Sequence, residues 1–474
     1  MSDGDGTPSA ARVLALRPGR RERRIRLSWS EMGASTALCV LLLIAHLAFG
    51  AARREVALAL AALEALLLSV IIFTCVWARR DLELARALAW PAACFAGVLL
   101  MGLWSLTPLV PGGPYPMWSY VQASPAAAVD KSAVVIELVR LLALACVFLT
   151  AWVIGADDDR ARWFLRLFLA GTGLFAIWAF ISQLVDPGML FGGIVLPDGG
   201  KRLSAAFLSA NTAGAYFGVS VLISACALTD SLRNRATGSA LLSGRGLQLA
   251  APSLVVLGFS AACLILTASR GAFIATGVAL ALFLLWEAAA RRWKLFGLPG
   301  LGVVGLMAGL LALVAIGGAP LIERLLRIDR DVAIRQEIAT AHWHAFLAAP
   351  WMGYGLGSFD AINRMVTTSR NYPALWNIHA AHNVYLQWLE EAGAPGAAAM
   401  FAAIGLTLAL TIRGAGQRSR MTTWIRGLVG ASMVLLIHGL SDFALQVPSI
   451  AALLACLLGL AVGLALRPQG RGAQ

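Results

Sequence analysis

Uncharged apolar runs of about twenty residues recur through almost the whole of this chain, and each is long enough to cross a bilayer as one helix. About twelve such windows can be read: Gly33–Ala52, Val56–Trp77, Ala87–Thr107, Ala133–Ile154, Trp163–Leu184, Ser209–Thr229, Ala251–Ala268, Gly271–Ala290, Phe296–Gly317, Pro395–Ile412, Gly427–Gln446 and Pro448–Leu466. A soluble core has no use for so many. Of 474 residues, 59% are hydrophobic and only 13% charged, and the mean hydropathy is +0.76. Backbone polar groups in hydrocarbon must be bonded within their own segment. The expected fold is therefore an all-α polytopic membrane protein of about 12 transmembrane helices. The first run is long enough to span and lacks a small-residue cleavage pattern, so no cleavable leader is expected.

Charge orders these runs. The net charge is +13, and its clusters "RPGRRERRIR", "ARRDLELAR", "DDDRARWFLR", "RNR", "RRWK", "RGAGQRSR" and "RPQGR" fall on one side of a twelve-span chain. With their neighbours they hold roughly two thirds of the Lys and Arg, a positive-inside pattern that puts both termini in the cytoplasm. The basic excess thus reads as topology and anionic headgroups rather than nucleic acid. All seven cysteines (Cys39, Cys75, Cys94, Cys146, Cys226, Cys263, Cys456) lie within expected helices, where they pack as small apolar groups and form no disulfide framework.

The expected division is a basic cytoplasmic segment at 1–32, helices one to nine over 33–318, a long outer loop at 319–394, helices ten to twelve over 395–466, and a tail at 467–474. The loop is not linker. "ERLLRIDRDVAIRQEIATAHWHAFLAAP" and "NVYLQWLEE" carry helical spacing, and "MGYGLGSFDA" supplies glycine turns between them. A loop this long between packed spans is usually functional, and it reads as a helical lid. "GYGLGSF" follows no strand, so it is a turn and not a nucleotide loop. No Walker lysine occurs on the cytoplasmic side.

Rare polar groups gather on the outer side. Arg202, Arg270, Arg335, His379, His382 and Asp442 all fall at or just under that face. Three arginines from separate segments suit a phosphate group, because guanidinium stays charged and offers a planar fork of donors. His382 is the acid–base candidate, since imidazole is the side chain suited to proton transfer near neutrality. His379 and Asn383 flank it. His438 and Asp442, four apart, are expected to share a helix face as a hydrogen-bonded pair. His379 and His382 are spaced three apart so as to face one way but have no cysteine beside them, and His342 and His344 point to different helix faces, so no metal is expected. His46 is expected to pack as a satisfied core histidine. Glu137 and Arg140 either pair on one face or serve function, and Glu64 in mid-span carries no assignment.

Taken in order, "KRLSAAFLSANTAGAYF", "TASRGAFIA", "RQEIATAHWHAFLAAPWMGYGLGSF", "HNVYLQWLEEAGAPG" and "HGLSDFALQVPSIAALLACLLGLA" resemble the O-antigen ligase and polymerase superfamily of bacterial membrane glycosyltransferases. The likeness runs from Lys201 to the last helix. One departure is Ala206, Phe207 and Leu208 where the family has Gly-Thr-Phe. The resemblance implies an undecaprenyl-diphosphate-linked glycan donor presented at the periplasmic face of the inner membrane. The acceptor would be a sugar hydroxyl on lipid A–core in the ligases, or a second carrier-linked glycan in the polymerases. It implies no cofactor, Arg202, Arg270 and Arg335 on the diphosphate, His382 as base, and an inverting displacement. Among the expectations the ligase stands first, a polymerase of capsule, exopolysaccharide or O-antigen second. An anion transporter, from another class, would show paired repeats and helices broken at the midplane.

Overall fold

A computed structural model of the chain describes residues 29–77, 86–187, 189–190, 194–195, 201–233, 244–291 and 329–466. The expected span Phe296–Gly317, the basic segment before residue 29, residues 319–328 of the loop and the tail 467–474 lie outside the described residues. The described residues are helical almost throughout. An antiparallel pairing of Met189–Leu190 with Ile194–Val195 is the small departure from an all-α chain.

The apolar runs fold as α1 (Trp29–Leu47), α2 (Arg54–Trp77), α3 (Ala89–Ser105), α4 (Lys131–Gly155), α5 (Asp158–Val185), α6 (Ala210–Arg233), α7 (Gly244–Leu266) and α8 (Arg270–Arg291). After the undescribed stretch come α9 (Asp329–Ala348), α10 (Phe359–Val366), α11 (Val384–Ala415), α12 (Thr422–His438) and α13 (Pro448–Leu466). Eight of the described helices are long and apolar enough to cross a membrane, and three shorter apolar ones accompany them over Met32–Leu47, Ala250–Leu266 and Thr422–His438. All eleven fall on expected windows. Helix starts follow from local chemistry: Asp130 caps α4 by accepting from Ala133 N, and Asp157 caps α5 by accepting from Asp159 N and Arg160 N.

Burial sorts these helices into core and periphery. In α6, 89% of the apolar window is buried, and in α13 83%, against 28% in α2 and 22% in α3. The central helices are those with small residues at close crossings. A Cβ added at Gly218 would lie 2.3 Å from Thr276 Oγ1, and one at Gly463 would lie 2.5 Å from the Trp152 carbonyl oxygen. Close backbone approach through glycine is how helices associate where no water drives them together. The peripheral helices turn Leu66, Phe73, Trp90 and Leu100 outward, as hydrocarbon contact requires.

Two features position the site. The buried pair Arg426 Nη1–Glu287 Oε1 (2.8 Å) joins α12 to α8 at one end, and the opposite ends of the same two helices carry His438 and Arg270. Secondly, α11 is broken at Gly393, whose φ of 65° and ψ of 174° only glycine adopts readily, with Pro395 restarting the helix. The loop after α9 wraps this break. Tyr354 N donates to the Glu390 carbonyl, Gly355 N to that of Glu391, and Ala394 N to that of Pro350. "GYGLGSF" is thus a turn packed on the kink.

Candidate active site

Asparagine caps a helix well because its side-chain oxygen accepts from the exposed amides of the first turn. Asn383 does this for α11, accepting from Tyr385 N and Leu386 N at 3.0 Å, so its side chain is committed to the helix start. The residue before it, His382, is thereby held at the mouth of α11 with φ 54°. Its ring packs edge-on to Phe443, and its Nδ1 is buried with no hydrogen-bond partner. The nearest acid is Asp442, with Oδ2 at 3.9 Å. That is ion-pair range and longer than a hydrogen bond.

Asp442 is 1% exposed and lies beyond the end of α12. Sequence spacing predicted a helical His438–Asp442 pair, and the structure corrects this. The helix stops at His438, Gly439 follows, and the side chains of Asp442 and His438 are not hydrogen-bonded to each other. Asp442 Oδ2 instead accepts from Asn211 Nδ2 at 2.6 Å. Burial pushes its carboxyl up, but the facing His382 and His438 imidazoles and the Asn211 amide outweigh it, so the carboxyl sits below the usual carboxylate range.

Asn211 is the residue that sequence reasoning missed. It opens α6, and while one amide hydrogen serves Asp442, its Oδ1 accepts from Arg202 Nη2 at 2.6 Å. Arg202 Nε donates to the Thr267 carbonyl, which ties the segment before α6 to the turn between α7 and α8. In that turn Ser269 and Gly271 flank Arg270, at the first position of α8. A Cβ on Gly271 would lie 2.7 Å from Ser441 Oγ, so glycine is what lets the helix start approach the 439–443 segment. From α9, Arg335 donates to the Ser441 carbonyl at 3.0 Å.

These groups line one cavity of about 250 Å³. Its walls include Arg202, Asn211, Ser269, Arg270, Arg335, His382, His438 and Asp442. Three guanidinium groups from three elements share it with one carboxylate, and the amino end of α8 adds its partial positive charge. The arrangement is built to receive an anion next to an imidazole. Of seven described non-glycine residues with positive φ, three lie here: Ala205, Ala268 and His382, with φ of 51°, 47° and 54°. Each sits at or within three residues of a cavity residue, and strain held this way accompanies functional positions.

The other expected residues are elsewhere. His379 is largely exposed and pairs with Asp360 at 3.1 Å, outside the cavity. The turn that carries it is not helical, so the spacing of three to His382 does not bring the rings together. His342 is buried, bonds Glu390 Oε2 at 2.7 Å and stacks on Phe359, while His344 faces outward. Arg140 bonds Glu137 at 2.7 Å and the Gln446 carbonyl at 2.8 Å. His46 is buried against Phe207 and Tyr216 with neither ring nitrogen hydrogen-bonded, so it packs but is not satisfied. No group of three or more His, Cys, Asp or Glu gathers as a metal site among the described residues.

Residues 254–401 match the family model described as O-antigen ligase. The match supports the O-antigen ligase superfamily and takes in Arg270, Arg335 and His382, with Arg202, Asn211 and Asp442 outside it. No curated protein matches the chain.

Proposed function

We propose that this multi-pass membrane chain is an O-antigen ligase-type glycosyltransferase. It moves a glycan from undecaprenyl diphosphate to a sugar hydroxyl of lipid A–core at the periplasmic face of the inner membrane. One observation carries this: arginines from three elements and a helix start share a cavity of about 250 Å³ with the His382–Asp442 pair. The superfamily match supports the substrate class.

In this mechanism Arg202, Arg270 and Arg335 hold the diphosphate of the carrier. His382 takes the proton of the acceptor hydroxyl as that oxygen attacks the anomeric carbon. The bond from that carbon to the diphosphate oxygen breaks, and the leaving electrons settle on the diphosphate. Fixed guanidinium charge stabilises them in a partly dry site. Asp442 orients the imidazole and balances its positive charge, as a buried acid does in other histidine-based catalysts. One displacement inverts the anomeric configuration. The arginines supply the positive charge that a metal ion would otherwise bring, so transfer should persist in EDTA.

The deciding experiment is the length of glycan left on the carrier after loss of the gene. Long polymer stranded on undecaprenyl diphosphate, with bare lipid A–core, is expected. Single repeats on the carrier would make the enzyme a polymerase, and an unchanged glycan pool would overturn glycan transfer altogether.

A further inference from the structure

A second cavity, of about 750 Å³, runs within the bundle between α2, α3, α4, α11 and α13. It extends from Gln446 and Pro448, beside the arginine cavity, down to Leu88 at the far end of α3. Its walls are nearly all hydrocarbon. The polar groups are few: Glu64 stands part way down, and Arg140, between Glu137 and the Gln446 carbonyl, stands near the head. Within a membrane, a space of this shape and chemistry takes a hydrocarbon chain.

The two cavities share no lining residue. A thin hydrogen-bonded wall separates them, in which Val384 N donates to the Gly439 carbonyl at 2.9 Å and Tyr385 OH to that of Leu436 at 2.8 Å. His382 faces one side of this wall, and Val384 and Tyr385 face the other. A carrier whose diphosphate lies among the arginines cannot thread its isoprenoid through that wall, so the groove is left for the other reactant. We infer that the groove seats the acyl chains of the glycolipid acceptor and delivers its sugar over the 382–385 turn to the histidine. This rests on the glycosyl-transfer reading above.

The test fills the groove. Gly405 on α11 lines it, and a Cβ there meets nothing within 4 Å, so Gly405→Trp projects an indole into open space. Ala96→Trp places an indole on the groove lining from α3, should the first variant fail to fold. Each purified full-length variant is given the carrier-linked donor with either intact glycolipid or its deacylated, water-soluble oligosaccharide. The expected result is a loss of tenfold or more with glycolipid and an unchanged rate with the soluble acceptor. Equal loss with both acceptors, or weakened donor binding, would overturn the inference, and so would no loss with either. A photoreactive acyl chain on the glycolipid separates the two readings. If the wild type crosslinks at the groove yet transfers nothing, the groove stands and the transferase reading fails; absence of crosslinking overturns the groove.

Discussion

Asn211 Nδ2 donates to Asp442 Oδ2 at 2.6 Å across 231 positions of sequence. Through its other amide atom Asn211 also receives Arg202, so one neutral side chain fixes both a phosphate-binding candidate and the acid behind His382. An amide can do this because it is donor and acceptor at once, without adding charge to a buried site.

His382→Ala should remove transfer by about 10²–10⁴-fold while carrier binding and membrane abundance stay as in the wild type. A single-turnover transfer assay with purified protein checks it. Wild-type rates would remove His382 as base.

Asn211→Ala should act through position. It leaves the buried Asp442 carboxylate short of a donor, at a cost of about 1–3 kcal/mol, and frees His382 to drift. The expected signature is a fall in kcat of tenfold or more with little change in the acceptor KM. Asn211→Asp, which brings a second carboxylate against Asp442, should be worse than Ala. If Asp were to restore activity, the bridging role would be refuted.

Arg202, Arg270 and Arg335 should each weaken binding of the carrier diphosphate when changed to Ala. Lys should recover only part, because a point charge lacks the planar fork. Titration with undecaprenyl diphosphate reports this directly. Unaltered binding in all three variants would end the phosphate-clamp proposal.

The depressed Asp442 carboxyl has a stability consequence whose sign is fixed. A folded-state value below the unfolded one favours the ionised form in the fold. Its contribution is present above the unfolded carboxylate range and is lost as pH falls through the folded value. Asp442→Asn should therefore cost most thermal stability near neutrality. The gap to wild type should close below about pH 4, read from unfolding midpoints over pH 3–7 by intrinsic fluorescence. A gap independent of pH would contradict it.

The His342–Glu390 bond, buried on both sides, fastens α9, which carries Arg335, to α11, which follows His382. His342→Phe keeps the stack on Phe359 but strands Glu390, and should cost about 1–3 kcal/mol. Thermal unfolding in detergent measures it. Pairing it with Glu390→Leu should recover part of the loss.

Part of the candidate site could be read without coordinates because charge is scarce in an apolar chain. An arginine near hydrocarbon is expensive to keep, so Arg202, Arg270 and Arg335 stood out individually, and the structure brings all three to one cavity. Asn211 and Ser269 did not stand out. Uncharged polar residues at helix starts are common, and only their partners distinguish these two. The spacing arguments failed where the chain is not helical. His379 and His382 are three apart on a turn, and Asp442 lies four past His438 but beyond the end of α12, so neither pair obeys a helix rule.

The apolar windows, by length and hydropathy alone, determined the helices, because a segment in hydrocarbon has to satisfy its own backbone. Which helices became core was decided by close packing at glycines such as Gly218 and Gly463, a matter of shape that hydropathy does not register. Tertiary structure alone decided that the arginines, Asn211, Asp442 and His382 meet. Their meeting depends on where α12 stops, how α11 breaks at Gly393 and how α9 docks. Each of these is settled by contacts between residues far apart in the chain.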